Sequence, residues 1–129
     1  MNAIIKGLGF YVPENVVTNN DLSKIMDTND QWITERTGIK ERRWIAEGTD
    51  TTSSMGEKAA RQAIVNAGLK PKDIDFIIFA TLSPDYYFPG PGVQLQEALE
   101  IDTVGALDVR NQCSGFVYAL SIADQYIKS

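Results

Sequence analysis

Three short apolar runs punctuate the chain, at Ala3–Leu8, Ile74–Thr81 and Val104–Val109. In the second, Phe76, Ile77, Ile78 and Phe79 follow one another without polar interruption, as in a strand covered on both faces within a parallel sheet. Parallel strands need long crossovers between them, and the periodicity supplies helices for that purpose. Met55, Ala59, Ala60, Ala63, Ile64 and Ala67 recur on one helical face, with Ser53 or Ser54 as cap and Gly68 then Pro71 as terminators. The small alanines allow close packing on a sheet. A second helix opens at Pro91 or Gly92 and runs through Val93, Leu95, Ala98 and Leu99. A third runs from about Cys113 through Phe116, Val117, Leu120, Ala123 and Ile127. This order predicts a three-layer α/β fold, with three strands parallel in one sheet and the last helix buried near its centre.

Between the first apolar run and the alanine-rich helix lies a segment of different chemistry. Thr28-Asn29-Asp30-Gln31 fits a capping box with Thr28 as N-cap, and Gly38 can end the short helix. Trp32 and Arg36, four residues apart, then share one face. An indole and a guanidinium displayed together can stack on a planar base, while Arg36, with Lys40, Arg42 and Arg43 nearby, meets phosphates. The same spacing admits another reading, in which Trp32 packs as a half-buried anchor and Arg36 lies over it.

Composition narrows the function classes. The 129 residues, 43% hydrophobic and 22% charged, suit a globular protein with one core, either one domain or part of one. A formal net charge of -5 argues against nucleic acid or an anionic membrane as partner. No apolar run approaches the roughly 18 residues that span a bilayer. Met1–Lys6 lacks the apolar stretch of a secretory signal, so a cytoplasmic setting is expected. One cysteine and no histidine leave only scattered carboxylates, so no metal is expected. Asp73 and Asp75 read as the solvated start of a strand, not as an acid–base pair. Tyr86, Tyr87 and Phe88, beside Pro84 and Pro89, read as a partner-binding aromatic patch or as an ordered interface loop. The chain stops soon after a helix that should cross over to another strand, so an incomplete domain is expected.

Cys113 is the sharpest chemical feature. It sits in Asn111-Gln112-Cys113-Ser114-Gly115-Phe116, after the third apolar run and at the predicted start of a helix. A thiol there faces the positive end of the helix dipole and unpaired N–H groups, which favour the thiolate and can receive an oxyanion. The usual histidine base is missing, so Cys113 reads as half of an active site. A cysteine hydrolase would need that base too.

These segments carry a specific resemblance. Asp27 to Arg42 (Asp-Thr-Asn-Asp-Gln-Trp-Ile-Thr-Glu-Arg-Thr-Gly-Ile-Lys-Glu-Arg), Ala80-Thr81 followed by Phe88-Pro89, Cys113-Ser114-Gly115-Phe116 and Ala123-Asp124-Gln125-Tyr126 together resemble the β-ketoacyl-acyl carrier protein synthase III family. The likeness runs in order through the whole chain, but covers only about the first two fifths of a family member. It implies a thiolase-like α/β fold, here an incomplete N-terminal half with a mainly parallel sheet between helices and no second domain. It also implies an activity, the condensation of an acyl-CoA primer with malonyl-acyl carrier protein through an acyl-cysteine, with loss of carbon dioxide. Acyl-CoA is then a substrate and no cofactor is implied.

Carried over by position, Cys113 resembles the acyl-accepting nucleophile and its backbone N–H one oxyanion donor. Trp32 resembles the residue that stacks on the CoA adenine, and Thr28, Arg36 and Thr37 resemble neighbouring CoA contacts. Phe88 resembles a residue that reaches across a homodimer to limit the partner's acyl pocket. The family's histidine and asparagine, which assist the thioester chemistry and decarboxylation, have no counterpart here, so the chain alone is expected to be inactive and a companion chain could supply them. Two segments depart from the family pattern. Arg110-Asn111-Gln112 replaces small residues before the cysteine, and Phe88-Pro89-Gly90-Pro91-Gly92 replaces a turn rich in serine and alanine. Both argue against acetyl-CoA as the primer. The alternatives are a non-catalytic fragment or interaction module that keeps the dimer surface, and a related acyl-CoA condensing or acyl-transferring enzyme.

Overall fold

A computed structural model describes residues 2–129, which form two compact units: Val12–Asp50, and the residues up to Tyr11 together with Thr51–Ser129. In the smaller unit, β1 (Asn15–Thr18), α1 (Asn19–Leu22) and α2 (Asp30–Thr37) are followed by β2 (Glu41–Trp44), which pairs antiparallel with β1 so that Val17 faces Arg42. The sequence pattern did not predict this ribbon. Its strands have four residues each and Val17 is their one buried position, too little for an apolar alternation to show.

Asn19, at 1% exposure, organises this unit. Its amide nitrogen donates to Asp30 Oδ1 and to the Ile39 carbonyl, both at 2.8 Å. Its amide oxygen accepts from Arg42 Nη2 at 2.6 Å, and Arg42 Nη1 donates to the Val17 carbonyl at 3.1 Å. A buried amide is tolerated because its donors and acceptor are matched, and here the matching ties α2 to both strands.

The larger unit holds α3 (Thr52–Asn66), β3 (Phe76–Ala80), α4 (Pro91–Ala98), β4 (Gly105–Val109) and α5 (Gly115–Lys128). β3 and β4 run parallel, Phe76 opposite Gly105 and Ala80 opposite Val109. Successive β3 side chains go to opposite faces. Ile77 enters the core with Ile64, Leu95, Leu99 and Ile101, and Phe79 packs against it. Phe76, Ile78 and Ala80 instead line a groove of about 470 Å³ shared with Phe116, Ala119 and Ala123 of α5. The three layers are as expected: α3 and α4, the sheet, then α5.

Three expectations need correction. Ala3–Leu8 is not a strand of this sheet. The N-terminal segment lies along α3, where Lys58, Gln62 and Asn66 form a stripe at four-residue intervals. Gln62 Oε1 accepts from the Phe10 N–H at 2.7 Å, Asn66 Nδ2 donates to the Leu8 carbonyl at 2.8 Å, and Lys58 Nζ donates to the Tyr11 hydroxyl at 3.1 Å. Helix side chains thus satisfy backbone groups that a sheet neighbour would otherwise take. Nor is α5 buried. Its buried residues are Gly115 and Ala119, while Phe116, Val117 and Tyr118 are more than half exposed. The sheet covers one side of that helix, and among the described residues nothing covers the other. Finally, caps shift: Thr51, not Ser53 or Ser54, caps α3 in a reciprocal box with Ser54, and α5 begins at Gly115, not Cys113. Gly68, at φ 69°, follows α3 as expected.

Candidate functional site

Cys113 lies in the turn between β4 and α5. The Thr81 N–H donates to the Val109 carbonyl at 3.1 Å, so the parallel pair stays in register to its C-terminal end. The chain then turns, closed by the Gly115 N–H on the Gln112 carbonyl at 3.0 Å, and α5 starts with the Tyr118 N–H on the Ser114 carbonyl at 3.0 Å. Gly115 is buried against β3, since a Cβ there would meet the Ala80 Cβ at an ordinary 3.5 Å. This contact fixes where the helix begins. Cys113 stands two residues ahead of it as an exposed, free thiol. Ser114 occupies the N-cap position without a side-chain bond, so no side chain competes there with an incoming anion for the first-turn N–H groups. Open parallel α/β sheets gather their ligands at this edge.

In the smaller unit, α2 displays Trp32 and Arg36 together. The Arg36 Cζ lies 4.4 Å from the indole centroid, and Nη1 donates to the Trp32 carbonyl at 3.4 Å. Trp32 is 51% exposed and Arg36 is exposed. Asn29, not Thr28, caps the helix, its Oδ1 accepting from the Trp32 N–H at 2.8 Å. An Asx side chain at position 29 captures that N–H and leaves the Thr28 hydroxyl buried without a partner. Thr37, at the other end, donates to the Ile33 carbonyl at 2.8 Å and accepts from the Ile39 N–H at 3.0 Å. Gly38, at φ 70°, closes the helix in the left-handed conformation that favours glycine. Thus Trp32 and Arg36 form one surface, and Thr28 and Thr37 flank a helix about 12 Å long.

Tyr86, Tyr87 and Phe88 project from the loop between β3 and α4, the last two at 92% exposure. The loop is nonetheless anchored. Asp85 accepts from the Thr52 and Ser53 N–H groups of α3 at 2.7 and 2.8 Å, and the Thr52 hydroxyl donates to the Ser83 carbonyl at 2.6 Å. Burial works to raise the Asp85 pKa, but bonds from the Ser53 side chain and from the Ser53 and Thr52 backbone, with the Thr51 hydroxyl, outweigh it and hold the carboxyl below its ordinary range.

Sequence reasoning missed the residues that hold these groups in place: Asn19, Asp85, and Asp108 of β4, whose carboxylate accepts from the Gly92 N–H just after the aromatic loop. Each acts across a long separation, and only Asn29, one step from the predicted cap, had a local signal. Among the described residues no group of three or more histidine, cysteine or acidic side chains could hold a metal ion, and no helix is long and apolar enough to cross a membrane.

No family model matches the chain. Individual proteins do. The β-ketoacyl-[acyl-carrier-protein] synthase III of Pseudoalteromonas atlantica is 50% identical over 129 residues, which is 100% of this chain and 40% of that protein. The crystal structure of 3-oxoacyl-[acyl-carrier-protein] synthase III from Aquifex aeolicus superposes with a TM-score of 0.93 at 49% identity, covering 99% of this chain and 41% of that one. The priming β-ketosynthase of the R1128 polyketide pathway gives 0.91 at 36% identity, covering 97% and 37%. The fold is therefore thiolase-like, corresponding to about two fifths of those structures. In sequence the chain is similar to proteins named β-ketoacyl-[acyl-carrier-protein] synthase III. It spans about two fifths of the length of the curated relatives it matches.

Proposed function

We propose that this chain is the nucleophile-bearing portion of an enzyme that condenses an acyl-CoA primer with malonyl-acyl carrier protein. The observation that carries the reading is the placement of Cys113, an exposed thiol at the C-terminal edge of a parallel pair and just ahead of an uncapped helix. In the first half-reaction the Cys113 thiolate attacks the thioester carbonyl. Negative charge on that oxygen is met by backbone N–H groups, the one on Cys113 included, and CoA leaves as its thiol once it takes up a proton. In the second, carbon dioxide leaves the malonyl group and the resulting carbanion takes the acyl group from sulfur, releasing the 3-oxoacyl product and, after protonation, the Cys113 thiol.

Trp32 and Arg36 take the CoA adenine and its phosphates, and Thr28 and Thr37 lie beside them as further contacts. Phe88 limits the acyl pocket of a second copy in a homodimer. The histidine and asparagine come from the rest of the family's length, in the same chain or in a companion, and the enzyme works in the cytoplasm without a cofactor. The test joins this chain to that remainder, exposes it briefly to an acyl-CoA, and locates the added mass by peptide mass spectrometry. Acyl on Cys113, absent in Cys113→Ser of unchanged fold, supports the reading. Acyl elsewhere with Cys113 unmodified overturns it.

A further inference from the structure

The two segments that depart from the family pattern, Arg110-Asn111-Gln112 and Phe88-Pro89-Gly90-Pro91-Gly92, lie 20 or so residues apart in the chain and meet in the fold. Arg110, the first residue after β4, donates from Nη2 to the Tyr87 carbonyl at 3.4 Å, with its Cζ 5.5 Å from the Tyr87 ring centroid. Asp108, two residues earlier and so on the same face of the strand direction, accepts from the Gly92 N–H at 2.8 Å. Its carboxylate also fills the space a Cβ would need at Gly90, and at Gly92 a Cβ would come within 3.0 Å of Oδ1. Glycine at these two positions is what allows the close approach.

Phe88 therefore sits between two points fixed to one strand end, the Tyr87 carbonyl on one side and the Gly90–Gly92 backbone on the other. That strand end leads within three residues to Cys113. We infer that Arg110 and Asp108 are positioning residues for primer selectivity: they fix the Phe88 loop to the end of β4, and so fix where Phe88 enters the acyl pocket of the second copy. The inference rests on the reading of Phe88 as a limit of the acyl pocket of the second copy. A side chain so exposed can set a pocket boundary only if its backbone is held, and these contacts hold it. Asp85 anchors the start of the loop to α3, but leaves Tyr87–Gly90 to the Arg110 and Asp108 contacts.

The experiment uses the complete enzyme and measures kcat/KM for a series of straight-chain acyl-CoA primers, together with the mass of Cys113. Arg110→Ala should flatten the chain-length profile, reducing the ratio between best and next-best primer about 3- to 10-fold, the range expected for one contact of this kind, a hydrogen bond or an exposed cation–π pair. Arg110→Lys, which keeps the cation, should restore part of it, and Asp108→Asn, which keeps an acceptor for Gly92, should change it less than Asp108→Ala. Urea denaturation of each variant separates selectivity from loss of fold. An unchanged profile in folded Arg110→Ala and Asp108→Ala overturns the inference while leaving the function intact. Parallel loss of all primers, in step with lost stability, overturns it as well. A wild-type enzyme whose Cys113 takes up no acyl group removes the functional reading first, and the inference with it.

Discussion

Asp85 makes a strong test of the physics, because one carboxylate serves two orphan donors at the start of a 15-residue helix. Thr52 and Ser53 are the first two residues of α3, and their N–H groups have no intrahelical acceptor. Replacement by alanine leaves both unpaired. Cap truncations cost about 0.5–2 kcal/mol, and bonds to a charged group about 1.5–3 kcal/mol when dry. Asp85 is only partly buried, so solvent screening cuts the upper figure, and about 2 kcal/mol is expected for Asp85→Ala. Asp85→Asn keeps an acceptor and loses the charge, for about 1 kcal/mol. With an m value of about 2 kcal/mol/M, the alanine variant should lose about 1 M from its urea midpoint at unchanged slope. The pH dependence follows from the direction of the shift. The folded carboxyl lies below the unfolded value of 3.8, so its contribution is present above that value and is lost as pH falls through the folded one. The gap between wild type and Asp85→Asn should thus hold steady from neutral pH to about 4 and close in stronger acid. Equal stability at neutral pH, or a gap that does not narrow as pH falls below about 4, would refute the argument.

Two further predictions use other parts of the fold. Gly9→Ala should destabilise the protein by about 1–3 kcal/mol in urea, because a Cβ there overlaps the Ala59 carbonyl and the Ala63 nitrogen, and helix backbone cannot rotate aside as a side chain would; a variant as stable as wild type would mean that the N-terminal segment does not lie on α3. Trp32→Ala should weaken CoA-thioester binding in the complete enzyme by about 1–3 kcal/mol, read by titration calorimetry, while the urea midpoint moves little. The reverse outcome, unchanged affinity with collapsed stability, would make Trp32 a packing residue only.

What the sequence made legible follows from range. The continuous apolar run Phe76–Phe79 announced a strand covered on both sides, and the alanine face of α3 announced its packing partner, since both signals lie within one element. Ala3–Leu8 carries the same apolar signal, yet its Leu8 carbonyl is taken by Asn66 and the following Phe10 N–H by Gln62, 58 and 52 residues away, and no local pattern announces that. The antiparallel ribbon escaped for the opposite reason: it is held by Asn19 and Arg42 more than by its own apolar positions. The last helix was placed correctly along the chain but not in depth. Burial was expected from the continuous apolar strand and the alanine-rich helix around it, and in this chain only the small face, Gly115 and Ala119, finds a sheet to lie on.

For the site, the sequence named the groups proposed to do chemistry and could not choose between two roles for Trp32 and Arg36. The geometry explains why. Four-residue spacing brings a guanidinium onto an indole whether the pair serves the fold or a ligand, and the contact is made at 4.4 Å. Magnitudes separate the roles. An exposed cation–π contact is worth about 0.5–1 kcal/mol, and a half-exposed indole forgoes much of its burial energy, so the fold has little at stake in this pair. Stacking on a base is worth more, about 1–3 kcal/mol. The network beneath α2 has a different standing. Asn19 is buried and bonded to both Asp30 and Arg42, so its loss would strand polar groups and move the helix. Stability in this unit therefore resides under the helix, and a substitution at Trp32 probes the binding proposed for its upper face without disturbing it.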